Sequence, residues 1–292
     1  MIVVTTPTGN IGSQVLRELV SSDEPIRVIA RDPARLTPET RERVVPGSHG
    51  DSAVVNKAFA GADSLFWLVP PDPRAASVEA AYVDFTRPAS QALRAQGVKR
   101  VVGISALGRG TPWASKAGLA TASLAMDDLI ASSGVSYRPL TMPSFMDNLL
   151  RQAASITKDG VFSLPINGDR KLPSVATRDI ASAVAMRLRD HSWNGVASVP
   201  VLGPEDLSYN DMARILSDVL GRPVRFEQIS NEAYKARLLA RGMSDAMAQG
   251  NVDMWIAKDH GIDNAATRTA KSSSPTNFRD WAQHAFRPRV AA

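Results

Sequence analysis

Apolar residues along the first half of the chain fall into two alternating textures, short unbroken runs and longer stretches in which they recur every three or four positions. The runs predict buried strands at Ile2 to Thr5, Arg27 to Ala30, Arg43 to Val45, Ser64 to Val69, Lys99 to Ser105 and Val135 to Thr141. Between the first two, Ile11, Val15, Leu16, Leu19 and Val20 keep helical spacing. After the fourth, Val78, Tyr82, Phe85, Ala89, Ala92 and Leu93 share one face of a longer helix that Gly97 stops. Strand and helix in alternation predict an α/β fold with a Rossmann-like, doubly wound parallel sheet.

Beyond about Pro143 the loops lengthen. Thr177 is placed to N-cap a helix burying Ile180, Ala181, Val184, Ala185 and Leu188. Ser208 and Asp211 have capping-box spacing, and Gly221 with Pro223 ends the helix they begin. Helix is expected from Asn231 to about Gly261, and Phe278, Trp281 and Phe286 form a last amphipathic turn. The expected organisation is a nucleotide-binding domain over 1–150, rejoined by 171–200, and a smaller, mainly helical substrate lobe over 151–170 and 201–292.

Composition narrows the chemistry. With no cysteine, thiolate zinc sites and a Cys nucleophile are excluded, and a reducing, cytoplasmic setting is expected. The four histidines, His49, His191, His260 and His284, have no metal-binding spacing, so no metal is expected. No apolar run reaches membrane-spanning length. The net charge of +5 is scattered apart from a patch of Arg27, Arg31, Arg35, Arg41 and Arg43. That patch lacks the interleaved aromatics of a nucleic-acid surface, so a cofactor phosphate is the better partner for it.

The first strand runs into Thr6-Pro7-Thr8-Gly9-Asn10-Ile11-Gly12 and then the first helix. Glycines at such a turn let a pyrophosphate approach the helix N-terminus, where unpaired N–H groups favour an anion. The second strand ends in Arg31, where an NAD site usually carries an acid that bonds the adenosine ribose. A guanidinium cannot accept those bonds but suits a 2′-phosphate, so NADP(H) is expected, with Arg35 a second contact. Asp51 is placed either to bond adenine or simply to cap a helix.

The glycine turn, Arg31, Val101-Val102-Gly103-Ile104-Ser105-Ala106, Ser133-Gly134-Val135-Ser136-Tyr137 and Phe145-Met146-Asp147-Asn148-Leu149 together resemble the NmrA-like family of atypical short-chain dehydrogenases/reductases. The resemblance covers nearly the whole chain and weakens after about residue 230. It implies cofactor contacts from Thr6, Thr8, Gly9, Asn10, Ile11, Gly12, Val69, Pro70, Ser105, Ala106, Pro143 and Phe145, and substrate contacts from Met146 and Asn148. Where the family's turn commonly reads Gly-Ala-Thr-Gly-x-x-Gly, this chain has Thr6 and Pro7. Leu140-Thr141-Met142-Pro143 likewise replaces the family's Leu-Arg-Pro.

Ordinary short-chain dehydrogenases use a Tyr-x-x-x-Lys pair as proton donor. Here Tyr82, Tyr137, Tyr209 and Tyr234 are followed four residues on by Thr86, Thr141, Ala213 and Leu238. Quinones and conjugated cations accept hydride readily and take their proton from water, so reduction of a small conjugated acceptor is the expected activity. A non-catalytic NADP(H)-sensing regulator is the alternative. Lys116 and Ser105 are the candidate catalytic residues, Lys116 otherwise being a surface lysine on a mobile loop, and Asp128 is a solvated or capping helix acid. Met243, Met247, Met254 and Trp255 suit an adaptable pocket between the lobes, a homodimer face or plain core.

Overall fold

The computed structural model describes residues 1–290 as two compact units. The first comprises residues 1–106, 122–141 and 180–199; the second comprises 107–121, 142–179 and 200–290 of the described chain. Relative to the expected boundaries, 107–121 and 142–150 group with the second unit, and the return to the first begins at Ile180.

The first unit is built on β1 (Ile2–Thr5), β2 (Ile26–Ala30), β3 (Val44–Pro46), β4 (Ser64–Trp67), β5 (Arg100–Ala106) and β6 (Ser136–Met142). With an edge strand at Val199–Pro200 they form one sheet, ordered from that edge β6, β5, β4, β1, β2, β3. The pairs β3-β2, β2-β1, β1-β4 and β4-β5 are all parallel. Every side chain of β1 and β4 is at most 1% exposed. Such uninterrupted apolar strands are what a parallel sheet covered on both faces requires.

Helices α1 (Asn10–Val20), α2 (Ser52–Phe59), α3 (Phe85–Ala95), α4 (Leu119–Ala131) and α5 (Thr177–Arg189) alternate with the strands. α1 buries Ile11, Val15, Leu16 and Leu19, as their spacing predicts. The long helix is less regular than its periodicity implies, because a π-helical turn over Ala80–Asp84 leads into α3. Pro88 has no N–H to give the carbonyl of Asp84, so the hydrogen-bond register changes where that proline would leave an unpaired acceptor.

The second unit contains three small strands, Ser144–Phe145, Leu172–Val175 and Asp206–Leu207, and a parallel pair, Val161–Leu164 with Arg225–Gln228. Strands of two to four residues are too short to announce themselves by alternation. Its helices include α6 (Tyr209–Leu220), α7 (Asn231–Ala240) and α8 (Asp245–Asp259). The Ser208–Asp211 capping box and the left-handed Gly221 end cap of α6 form as their residues predict. The expected single helix from Asn231 is broken between α7 and α8, where Gly242 takes φ +82° and Ser244 caps the new start. Phe162, Phe278, Trp281 and Phe286 anchor this unit's core, each at most 1% exposed.

Thr177 is the first residue of α5 rather than the residue before it. Its N–H and hydroxyl both donate to Asp147, at 2.9 and 2.8 Å, so a carboxylate from the Phe145–Asn148 segment sits at the helix N-terminus. Asp147 therefore secures the loop that carries the two substrate-contact candidates.

Candidate functional site

In the first unit the strand order reverses between β1 and β4, and ligands of open α/β sheets bind beyond the strand C-termini at such a switch point. The chain leaves β1 through Thr5, whose hydroxyl donates to the Phe66 carbonyl at 2.9 Å and accepts from the Leu68 N–H at 3.1 Å. These bonds clamp the ends of β1 and β4 together. Thr6 then turns the backbone with φ +51°, the one non-glycine residue in the left-handed region among the described residues.

That turn brings the Thr6 carbonyl against α1. The Gly9 N–H donates to it at 2.9 Å, and a Cβ on Gly12 would lie 2.1 Å from the same oxygen. Gly12 is thus required for strand and helix to approach this closely. Gly9 is the N-cap and offers no side chain, and the first turn of α1 contains no acid. The first helical bond runs from Ser13 to Gly9, which leaves the N–H groups of Asn10, Ile11 and Gly12 ahead of the ladder. An uncapped helix start of this kind, with glycines where a ligand must come close, fits a pyrophosphate.

The arginine patch separates into two kinds. Arg27 donates to the carbonyls of Ala58 and Ala60 at 2.7 and 2.8 Å, and Arg41 donates to Pro33, Ala34 and Leu36. Both are tied to their own backbone. Arg31 and Arg35 are exposed and have no side-chain hydrogen bond or ion pair among the described residues, so two guanidinium groups beyond β2 remain available for an anion. Asp51 accepts from the Val54 N–H at 3.0 Å and caps α2, the plainer of its two expected roles.

His49 was not singled out by its spacing and lies buried between Trp67 and Phe85, edge-on to both rings. Its Nε2 is 3.0 Å from the Leu68 carbonyl. Burial, with a smaller contribution from the charge of Arg31, lowers its pKa to about 4, so the ring is neutral at pH 7.

Val69 is buried and Pro70 exposed just beyond β4, and Ser105 and Ala106 end β5. Ser105 is 5% exposed and its hydroxyl donates to Asp127 of α4. The other carboxylate oxygen of Asp127 accepts the Tyr137 hydroxyl of β6 at 2.6 Å. Asp127 is 3% exposed, whereas Asp128 faces solvent as its expected role requires. Only the phase of α4 distinguishes these adjacent acids. A polar residue on the buried side of an otherwise apolar helix was the available signal for Asp127.

The other predicted residues belong to the second unit. Lys116 is exposed, on a segment held down by Gly118, where a Cβ would lie 2.1 Å from the Gly250 carbonyl, and by Trp113, whose ring centre is 4.3 Å from that of His260. The Lys116 loop, expected to be mobile, is instead packed in place by these contacts. Pro143 is buried, Phe145 half-buried and Asn148 exposed. Phe145, Met146, Asn148, Tyr209, Met212 and Trp255 line a narrow cavity of about 50 Å³ whose wall contains no Asp, Glu, Lys, Arg or His. Of the four C-terminal Met and Trp candidates, Trp255 alone reaches that wall; its indole N–H donates to the Tyr234 hydroxyl at 3.1 Å. Among the described residues no group of three or more His, Asp or Glu side chains is placed to hold a metal, and no helix is long and apolar enough to cross a membrane.

A family profile described as NAD(P)H-binding matches residues 7–191. The chain is 31% identical over 291 residues to a (4-alkanoyl-5-oxo-2,5-dihydrofuran-3-yl)methyl phosphate reductase of Streptomyces griseus, covering 98% of both chains. It is 30% identical over 258 residues to an NAD(P)H azoreductase of Xenophilus azovorans, covering 87% of this chain and 86% of the relative. Among solved structures, an NADPH-dependent quinone oxidoreductase of Escherichia coli complexed with NADPH shares the fold with a TM-score of 0.79 and 23% identity, covering 98% of this chain and 100% of the other.

Proposed function

The chain belongs to the NAD(P)H-binding, NmrA-like family of atypical short-chain dehydrogenases/reductases, and we propose that it is an NADPH-dependent reductase of a small conjugated acceptor, quinone-like or related. The observation that carries this reading is the uncapped start of α1 beside two arginines, Arg31 and Arg35, whose side chains have no hydrogen bond or ion pair among the described residues. The N–H groups of Asn10, Ile11 and Gly12 would hold the pyrophosphate, and the two guanidinium groups the 2′-phosphate. Bound there, NADPH supplies the hydride. The two relatives described above, each at least 30% identical over most of its length, are named as reductases. That favours a catalyst over a cofactor sensor.

No side chain needs to act as the proton donor in this reading. None of the four tyrosines has a lysine four residues on. Burial raises the pKa of Tyr82 to about 12 and pushes Tyr209 and Tyr234 up as well, so these phenols keep their protons. A reduced conjugated acceptor is basic enough to take its proton from water, and the protein's part is to orient cofactor and acceptor. The second unit would supply the acceptor pocket through the cavity lined by Phe145, Met146, Tyr209, Met212 and Trp255. Ser105 and Lys116 have no proton-transfer role in this scheme.

The test follows NADPH absorbance with purified protein against quinones, azo dyes and cationic dyes. Turnover with at least one class is expected; tight NADPH binding with no turnover by any class would refute the reductase and leave a sensor. Arg31→Glu is expected to weaken NADPH by tenfold or more, on the order of a lost charge-assisted contact, and to leave NADH nearly unchanged. An equal effect on both would refute the 2′-phosphate assignment.

A further inference from the structure

The cavity of the second unit has an uncharged wall, but two of its wall residues lead outward to a group of arginines. The Trp255 indole N–H donates to the Tyr234 hydroxyl at 3.1 Å. The Gln152 side chain accepts from the Ser163 N–H at 2.9 Å and donates to the Ser163 carbonyl at 3.2 Å, and the Ser163 hydroxyl in turn accepts from Arg237 at 2.6 Å. Tyr234 and Arg237 are three residues apart on α7, so both routes reach one face of that helix. Arg241, four residues beyond Arg237, ends the helix on the same side. Arg151 comes from a separate element, the single 3-10 segment Met146–Gln152 that also supplies Gln152 to the wall. The charges of Arg151 and Arg241 both act on the Tyr234 hydroxyl, opposing the burial that raises its pKa.

No carboxylate answers these cations. Arg151 and Arg241 are exposed and have no side-chain hydrogen bond or ion pair among the described residues, and Arg237 bonds a neutral serine. Lys235, by contrast, is paired with Asp245 at 2.8 Å. The C-terminus of α7 accounts for basic residues in its own last turn but not for Arg151. Two like charges converging on one hydroxyl repel, and an oxyanion between them relieves that repulsion; a planar N–H fork suits such a group. The cavity, at about 50 Å³, is too small to enclose a whole aromatic acceptor, so part of a molecule seated there lies outside its wall. We propose that the second unit selects conjugated acceptors that carry an oxyanion group, the apolar ring entering beside Trp255 and the anionic substituent held by Arg151 and Arg241. Arg237 is a positioning residue that fixes α7 to Ser163. This proposal rests on the acceptor-pocket reading above and adds to it a substrate class, anionic rather than neutral or cationic.

The experiment measures binding by calorimetry, with naphthalenesulfonate as the anionic probe and naphthol as its neutral counterpart. Neither step requires NADPH or turnover. Naphthalenesulfonate is expected to bind the wild-type protein at least tenfold more tightly than naphthol, and added salt to weaken the sulfonate alone. Arg151→Gln with Arg241→Gln, two exposed positions, should remove that preference and leave naphthol unchanged. Lys158→Gln with Arg225→Gln removes the same charge elsewhere in the unit and should change neither ligand. Equal affinity of the wild-type protein for both probes, no binding of either, or equal weakening of the sulfonate by the two double variants would overturn the proposal. Reduction of neutral quinones without a preference for the sulfonate would overturn this inference and keep the reductase. Arginine-dependent sulfonate binding without turnover of any acceptor would keep the anion site and overturn the reductase.

Discussion

Replacing Thr6 by glycine should stabilise the free protein even though it removes a side chain. Thr6 is β-branched and holds φ +51°, a conformation in which its Cβ crowds the backbone. Strain of this kind costs about 1–3 kcal/mol. Its Oγ1 is buried without a hydrogen-bond partner among the described residues, an additional cost of about 1–3 kcal/mol. Opposing these, glycine loses roughly 0.5–1 kcal/mol more backbone freedom on folding, and about 1 kcal/mol of methyl burial disappears. The net expectation is a gain of about 2 kcal/mol, or a rise of about 4–8 °C in melting temperature for a protein of this size. Gly12 remains compatible because it packs on the Thr6 carbonyl, which glycine keeps. Urea and thermal denaturation without cofactor measure the effect, with Thr6→Ala as the control. Alanine removes the orphan hydroxyl but keeps a Cβ at positive φ, so it should recover only part of the gain. A Thr6→Gly protein less stable than the parent, or a Thr6→Ala gain as large, would refute the strain argument.

Two further perturbations probe buried ionisable groups. His49 has its pKa lowered from 6.5 to about 4, so the unfolded chain binds the proton first as pH falls. Stability should therefore be unaffected above about pH 6.5 and fall by about 3 kcal/mol towards pH 4, and urea titrations of a His49→Gln protein should lose that part of the acid limb. An unchanged acid limb in the variant would assign the loss to other groups. In the second unit, Lys258 and Asp263 form an ion pair whose side chains are 9% and 4% exposed. Lys258→Met strands the carboxylate and should cost about 3–5 kcal/mol, whereas Lys258→Met with Asp263→Leu should recover most of it. A double variant no more stable than the single one would mean that packing, not charge, dominates there.

The sheet and the tight glycine turn after β1 were legible in the sequence because their physics is local. A parallel strand covered on both faces must be apolar throughout, and a helix resting on the sheet must repeat its apolar residues every three or four positions. Gly9 and Gly12 announce the tight turn between β1 and α1, and the place of Arg31 follows directly from where β2 ends. The capping box of α6 and the buried face of α1 are equally local and formed as expected.

What the tertiary structure decided depends on partners distant in the chain. Composition could not divide the arginine patch into Arg27 and Arg41, which latch their own backbone, and Arg31 and Arg35, which remain available, because that division depends on which carbonyls lie within reach. Asp127 and Asp128 are chemically identical neighbours, and a rotation of one residue around α4 buries one against Ser105 and Tyr137 and leaves the other on the exposed side of the helix. Thr6 announces a departure from the family turn by its identity alone. Only the backbone reveals that it is a strained one, since φ at that position is imposed by the closeness of β1 and α1 and not by the threonine itself.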